Sequence, residues 1–165
     1  MKHNSGFTIL EVLISLFIIS VAFSASVHLI VTNSNNANII KNGYIASGLA
    51  QEGVELVRNL RDGDWFVGRP FGAFGNLGGT VMADGAYRVQ WNSQYLLSGL
   101  NPYLKKESSS GIYSYDTGTD TLFKRQIQLS TANPGVEKKI VVTVSWFERG
   151  ASRSLNAEEH LYNWK

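Results

Sequence analysis

The chain contains 165 residues, a length that suits one compact domain with an anchor or arm. Its 15 Lys and Arg residues against 13 Asp and Glu residues leave a net charge of +2. This surplus is too small to indicate a nucleic-acid partner, and no run of like charge indicates a disordered tail. The absence of cysteine excludes disulfides and thiolate metal sites.

Residues 12–31, VLISLFIISVAFSASVHLIV, form an apolar segment without a formal charge. A helix of about 20 such residues crosses a hydrocarbon core about 30 Å thick. Its serine hydroxyls can bond to preceding carbonyl groups of the same helix, and His28 lies near its far end. The segment therefore predicts a transmembrane helix. Glu11 directly precedes it, although a carboxylate in a membrane helix costs insertion free energy.

Two simple interpretations leave Glu11 unexplained. A secretory signal peptide would use Lys2 and His3 as its basic region and would be cleaved near residues 22–26, but Glu11 interrupts its apolar region early. A plain membrane anchor accounts for the length and gives Glu11 no partner.

Residues 2–16, KHNSGFTILEVLISL, resemble the class III signal of type IV pilins and type II secretion pseudopilins. In that family a short basic leader ends in glycine and is cleaved before an N-methylated phenylalanine, and glutamate occupies the fifth mature position. These features correspond to Gly6, Phe7 and Glu11. The resemblance implies cleavage between Gly6 and Phe7 by a prepilin peptidase and methylation of Phe7.

The resemblance also implies a role for Glu11 in assembly. Pilin subunits leave the membrane by packing their helices into a filament core, where the α-amino group of Phe7 and the carboxylate of Glu11 would each be costly alone. Paired between neighbouring subunits, these charges would fix the axial register, as a buried polar pair does in a coiled coil. Many major pilins have proline at the position of His28, so no kink is expected here.

The segment from Thr32 begins with the Asn- and Ser-rich TNSNNAN, which is either a loop or continuing helix. Apolar residues then recur at spacings of three and four, which predicts an amphipathic helix that ends at RDGDW, near Gly63. Gly43, Gly48 and Gly53 either mark close packing against a sheet or neighbouring subunits, or make the helix flexible.

Three segments after Asp62 have the alternation of β-strands, namely residues 86–92, 122–131 and 137–148. A turn at RGAS is expected to return the last of them into residues 152–164 as a terminal hairpin. This hairpin and the segment SGLAQEGVELVRNLRDGDW resemble PilV-like minor pilins.

Catalytic and metal-binding motifs are not evident, and no cofactor is expected. The three histidines lack metal-ligand spacing, and His160 is expected to be a solvated strand position. Asp116 and Asp120 in DTGTDT could bind Ca²⁺, but a turn stabilised by their side chains is the simpler interpretation. The adjacent basic pairs 105–106, 124–125 and 138–139 are expected to be solvated rather than to bind DNA.

The resemblance as a whole implies an α+β type IV pilin-like fold, with a long N-terminal helix packed on an antiparallel sheet. The expected divisions are a leader of residues 1–6, a hydrophobic helix of 7–31, an amphipathic helix of 32–62 and a β-rich head of 63–165.

The implied function is that of a minor pilin, which is a structural subunit and not an enzyme. Its partners would be the lipid bilayer, other pilin subunits, the prepilin peptidase and the inner-membrane assembly platform, and nucleic acid is not expected. The protein would be a single-pass membrane protein with an extracytoplasmic C-terminal domain, and later part of a surface pilus. A type II secretion or DNA-uptake pseudopilin, and a membrane-tethered binding or sensor domain, are the alternatives.

Overall fold

The computed structural model of the protein describes residues 8–164. These residues form two compact units that divide between Asn42 and Gly43. One long helix, α1, spans Ile9–Phe66 and contributes to both units. The Asn- and Ser-rich residues 32–38 are helical, which decides between the two interpretations of that stretch.

The first unit consists of the N-terminal part of α1, and its apolar side chains are exposed. The expected serine bonds are confirmed: the hydroxyls of Ser15, Ser24 and Ser26 donate to the carbonyl groups four residues earlier, at 2.8–2.9 Å. These bonds satisfy the hydroxyl groups inside the helix itself. The surface that residues 12–31 present is therefore almost entirely apolar.

The second unit combines the C-terminal part of α1 with two antiparallel sheets. Within the described residues the larger sheet has the strand order β2-β1-β6-β7-β8 and the smaller has the order β4-β3-β5. The strands are β1 (Gly85–Arg88), β2 (Leu97–Ser98), β3 (Lys105–Lys106), β4 (Tyr113–Ser114), β5 (Thr119–Asp120), β6 (Phe123–Asn133), β7 (Glu137–Glu148) and β8 (Ala151–Tyr162).

One face of the larger sheet packs on α1 and forms the core of this unit. The alternation predicted for β6 and β7 is confirmed, because alternate apolar residues of both strands are buried on this face, whereas Phe147 is exposed. The buried residues are Phe123, Ile127, Leu129, Ile140, Val142, Val144 and Trp146. The helix contributes Ala46, Leu49, Ala50 and Val57 to the same core. The α+β arrangement of a long helix on an antiparallel sheet is thus confirmed.

The predicted terminal hairpin is also confirmed. β7 and β8 pair along their whole length, from Glu148 opposite Ala151 to Glu137 opposite Tyr162. The prediction for residues 86–92 was too long, because β1 ends at Arg88. The chain turns at Gln90, whose carbonyl group accepts a hydrogen bond from the backbone N–H of Ser93, and Trp91 is left exposed.

The predicted end of α1 near Gly63 was wrong, since the helix continues to Phe66. Asp64, a buried residue of the added turn, explains the extension. Its carboxylate accepts hydrogen bonds from the backbone N–H of Gly75 at 3.0 and 3.1 Å and from the side chain of Arg69 at 3.0 Å. Because residue 64 is part of the helix, its side chain can hold the following loop in place. The free energy of this contact outweighs the local tendency of Gly63 to end the helix.

Arg125 is a charged residue in the middle of the core. It lies on the buried face of β6 and is fully buried. Its guanidinium group donates hydrogen bonds to the carbonyl groups of Leu49 on α1 and Val89 after β1, at 3.1 and 2.8 Å, and it lies 3.2 Å from the carboxylate of Glu52. These contacts join the helix to two strands and offset the cost of burying the charge.

The three helix glycines have different surroundings. A methyl group at Gly53 would lie 2.7 Å from Cγ1 of Val142 and 3.2 Å from Cδ of Arg125, so this glycine permits close approach of the helix to the sheet. At Gly43 and Gly48 a methyl group would meet no atom within 4 Å. Close packing on the sheet therefore explains why position 53 is glycine, but it does not explain the glycines at positions 43 and 48.

Gly53→Ala tests this close approach in a fragment that begins at Thr32. We expect a loss of about 1–3 kcal/mol in the free energy of unfolding, because the added methyl group overpacks the contact with Val142. Gly48→Ala is the matched control, and should stabilise the fragment by up to about 1 kcal/mol through its higher helix propensity. Urea unfolding measures both changes. Equal effects of the two substitutions would contradict the assigned packing.

Candidate functional site

The helix begins with a cap that the sequence analysis missed. The hydroxyl oxygen of Thr8 accepts a hydrogen bond from the backbone N–H of Glu11 at 3.2 Å, and the carbonyl group of Thr8 accepts one from the backbone N–H of Val12 at 3.2 Å. Thr8 is therefore the N-cap residue of α1. The signal was present in the sequence, because Thr-x-x-Glu before an apolar run is the capping-box pattern.

Glu11 lies in the first turn of α1 and is exposed. A negative charge at this end of a helix is stabilised by the helix dipole, so Glu11 also has a local role in starting the helix. Within residues 8–164 its carboxylate makes no hydrogen bond or ion pair. Gly6 and Phe7 lie outside the described residues. Both the cleavage between them and the contact of Phe7 with Glu11 stay predictions.

The helix beyond Glu11 has the length and composition of a membrane span. Within the described residues, α1 is the one helix that is apolar enough, with a mean hydropathy of 2.3 over its best 18-residue window. None of that window is buried. A buried soluble core helix would have its apolar side chains covered, whereas those of this segment are exposed, Ile9 and Phe17 by more than two thirds. The segment therefore fits a single-pass membrane anchor followed by a C-terminal domain.

Residues 1–27 match the family described as the prokaryotic N-terminal methylation motif. This motif indicates a type IV pilin-like or pseudopilin-like protein. Such a protein is a structural subunit that a prepilin peptidase processes, rather than an enzyme. The match covers residues 1–6, Glu11 and most of the apolar segment, and the folded second unit lies outside it. No curated protein and no solved structure matches the chain.

The calcium candidates in DTGTDT lie in a turn and in β5. The carboxylate of Asp116 accepts a hydrogen bond from the side-chain amide of Gln90 at 2.5 Å, and Asp120 lies in β5. The turn is held by Ser114, whose hydroxyl group bonds to the carbonyl group of Thr117, rather than by an aspartate as expected. Among the described residues no group of three or more His, Cys, Asp and Glu side chains could hold a metal ion.

The basic pairs do not form one solvated face. Arg125 and Lys138 are buried, contrary to the expectation that all three pairs are solvated. The ammonium group of Lys138 donates to the carboxylate of Asp84 at 3.1 Å and to the hydroxyl of Thr131 at 2.6 Å. These two positive charges therefore stabilise the fold and are unavailable to a phosphate backbone. Lys124, the neighbour of Arg125, lies 4.5 Å from the ring of Tyr103.

His160 lies on the exposed face of β8 between two carboxylates. Its Nδ1 atom is 2.5 Å from Glu137 and its Nε2 atom is 3.1 Å from Glu158. The hydrogen bond to Glu137, and then that to Glu158, raise the pKa of His160 above its usual 6.5. The hydrogen bond from His160 lowers the pKa of Glu137 below its usual 4.5. His160 is therefore at an exposed strand position, as expected, and it also forms a cluster of charged groups with Glu137 and Glu158.

A pH titration of His160 tests this cluster. The raised pKa means that the histidine's contribution to stability is complete below about pH 6.5 and is lost as pH rises through the folded-state pKa. The lowered pKa of Glu137 means that its contribution is lost as pH falls through that lower value. In the fragment from Thr32, His160 is the only histidine, so its NMR signals are unambiguous.

We expect a titration midpoint above 6.5 for His160. Glu137→Gln should lower this midpoint more than Glu158→Gln does, because the hydrogen bond to Glu137 is the largest cause of the raised pKa. A larger effect of Glu158→Gln would contradict the ordering of the two contacts.

Proposed function

We propose that this protein is a minor pilin of a type IV pilus, stored in the inner membrane and then assembled into a filament through its N-terminal helix. The observation that carries the proposal is Glu11 in the first turn of a 58-residue helix whose next 20 or so residues are uncharged. This carboxylate stands five residues after Gly6, and both residues lie within residues 1–27, which match the methylation motif.

Cleavage after Gly6 would give Phe7 a free α-amino group at the start of the helix. Glu11 would accept the amine of a neighbouring subunit's Phe7 when the apolar segments leave the membrane and pack together. Glu11 has no partner within residues 8–164, which leaves its carboxylate available for a contact with another subunit. The exposed apolar surface of the first unit would then be covered by lipid before assembly and by other subunits afterwards.

The proposed divisions of the chain follow from these roles. Residues 1–6 are the leader, residues 7–31 the membrane and filament-core helix, residues 32–66 the amphipathic part of α1 in place of the expected 32–62, and residues 67–165 the head. The amphipathic helix gives one face to the core of the second unit, through Ala46, Leu49, Ala50 and Val57. A PilV-like subunit is the proposed subclass, on the basis of the terminal hairpin and the segment SGLAQEGVELVRNLRDGDW.

A pseudopilin of a type II secretion or DNA-uptake system would use the same N-terminal chemistry. Deletion of the gene separates the two: loss of pili supports the minor pilin, whereas loss of secretion or DNA uptake supports the pseudopilin. A membrane-tethered binding or sensor domain would instead keep its leader.

Processing is tested by the mass of the mature N-terminus. We expect assembled protein to begin at N-methylated Phe7, because Gly6 has no side chain to obstruct the peptidase. Gly6→Leu should block cleavage, and Ser5→Leu, one residue earlier, is the control. Assembled protein that begins at Met1, Ala25 or Val27 would exclude this processing.

Glu11→Val tests the assembly contact. We expect insertion and cleavage to remain intact and incorporation into filaments to fall, because removing one partner of a buried ion pair costs about 3–5 kcal/mol. The variant should accumulate in the membrane fraction and decrease in the sheared surface fraction. Its own incorporation must be measured, since a minor subunit contributes little to total pilus yield.

The start of the helix at Thr8 and Glu11 requires a separate control. Thr8→Val removes the N-cap hydroxyl and keeps the carboxylate, and the lost cap costs about 1 kcal/mol of helix stability. This variant should be incorporated far better than Glu11→Val. Equal incorporation of Glu11→Val and wild type at matched expression would show that Glu11 is not the assembly contact.

A further inference from the structure

β8 is an uncovered edge of the larger sheet. It spans twelve residues and ends the strand order, whereas the opposite edge strand, β2, has only two. Residues 151–154 are exposed, as are Asn156, Glu158 and His160 further along. An edge of this length presents unpaired N–H and C=O groups that can pair with another strand.

The hairpin loop determines which backbone groups point outward. Arg149 and Gly150 form a two-residue loop, and their φ angles of 53° and 79° are those of a type I′ turn. In such a hairpin the flanking residues, here Glu148 and Ala151, form a hydrogen-bonded pair, and pairs of this kind recur at every second residue. The odd-numbered residues of β8 therefore bond to β7. The even-numbered residues direct their N–H and C=O groups to the open edge.

The charges along β8 favour one particular partner. Arg153 and Glu159 lie on the same face of the strand, three residues to either side of Asn156. If a second β8 runs antiparallel with Asn156 opposite its own copy, Arg153 of each strand faces Glu159 of the other. Leu155 then faces Ala157, so the apolar residues also meet.

Other registers lose this match. A shift of the second strand by two residues places Glu159 opposite Ala151 or Leu155, and leaves Arg153 without an acidic partner. A shift by one residue would place even-numbered residues opposite odd-numbered ones. The N–H and C=O groups of the odd-numbered residues point to β7, so the two strands could not form a regular ladder of hydrogen bonds. Complementary charges and the backbone pattern therefore select the same register.

We infer that β8 is a pairing surface for a second copy of this chain, with antiparallel strands related by a two-fold axis at Asn156. The backbone groups of the even-numbered residues form the ladder, and two Arg153–Glu159 ion pairs fix the register. These ion pairs add to contacts that already exist within each copy. The carboxylate of Glu159 lies 2.8 Å from Arg58, and the guanidinium of Arg153 lies 3.7 Å from Glu148.

The two-fold axis also determines the direction of the helix segments in the paired units. In the second unit α1 runs opposite to β7, because Leu49 contacts Arg125, which pairs with Val144, and Arg58 contacts Glu159, which pairs with Ile140. The axis reverses β8 and the helix segment with it. The helix segments of the two paired second units therefore run in opposite directions.

Disulfide cross-linking tests the register, since the chain has no cysteine of its own. Paired residues of this type have Cα atoms about 5.5 Å apart, within the range that a disulfide spans. Asn156→Cys in the full chain, in detergent with micelles in excess over protein, should cross-link to itself under mild oxidation. Ser152→Cys on the same exposed strand is the control and should not.

A second pair of variants gives an independent result. Ser154→Cys and Glu158→Cys should each fail to cross-link alone, because each cysteine is about 14 Å from its own copy. Mixed together with tags of different size, they should form the heterodimer. Failure of both this pair and Asn156→Cys, or equal cross-linking of Ser152→Cys, would overturn the proposal.

The ion pairs are tested in the Asn156→Cys background. Arg153→Glu should reduce the cross-linked fraction about tenfold, because it places like charges together at two symmetric positions. Arg149→Glu makes the same charge change in the loop and should have little effect. Equal loss in both variants would assign the effect to net charge and contradict the register. These measurements need neither processing nor filament assembly, so they stand apart from the proposed function.

Discussion

The close contact between α1 and the larger sheet at Gly53 organises the folded unit. Without a side chain there, the helix backbone approaches Val142 and the stem of Arg125 directly. This short separation allows the guanidinium group of Arg125 to reach the carbonyl group of Leu49 on the helix and that of Val89 beyond β1. One small residue therefore lets a buried charge connect the helix with two strands, and the surrounding apolar core closes over it.

The same helix carries two very different carboxylates. Asp64 is buried, and its oxygen atoms are occupied by Gly75 and Arg69, so it holds the loop that follows the helix. Glu11 is exposed at the other end of α1, where Thr8 caps the helix. A buried carboxylate with several donors serves folding, whereas the exposed carboxylate of Glu11 has no partner within residues 8–164.

Apolar surface and strand edges define what the protein can contact. The exposed apolar side chains of the first unit belong to a segment with the length and composition of a membrane span, so burying them away from water is favourable. β8 presents a long polar edge whose charges limit how another strand can add to it. Association through the first surface is driven by packing and solvent exclusion, and association through the second by directional hydrogen bonds.

The sequence by itself determined the features that depend on local pattern. Alternation identified the buried faces of β6 and β7, the RGAS turn identified the hairpin, and the register of Gly6, Phe7 and Glu11 identified the N-terminal motif. Thr8 belonged to this class too, since the capping pattern is local. These features were readable because side-chain periodicity, turn chemistry and capping act over only a few residues.

Only the tertiary structure decided which charges and glycines are buried. Lys138 occupies a strand position that alternation places on the core face, yet its burial depends on Asp84 and Thr131 from distant segments. Gly53 and Gly48 look equivalent in the helix, but only Gly53 faces Val142. The helix end at Phe66 likewise followed from a contact between Asp64 and Gly75. A sequence pattern cannot determine such features, because their free energy comes from residues that are brought together only by the fold.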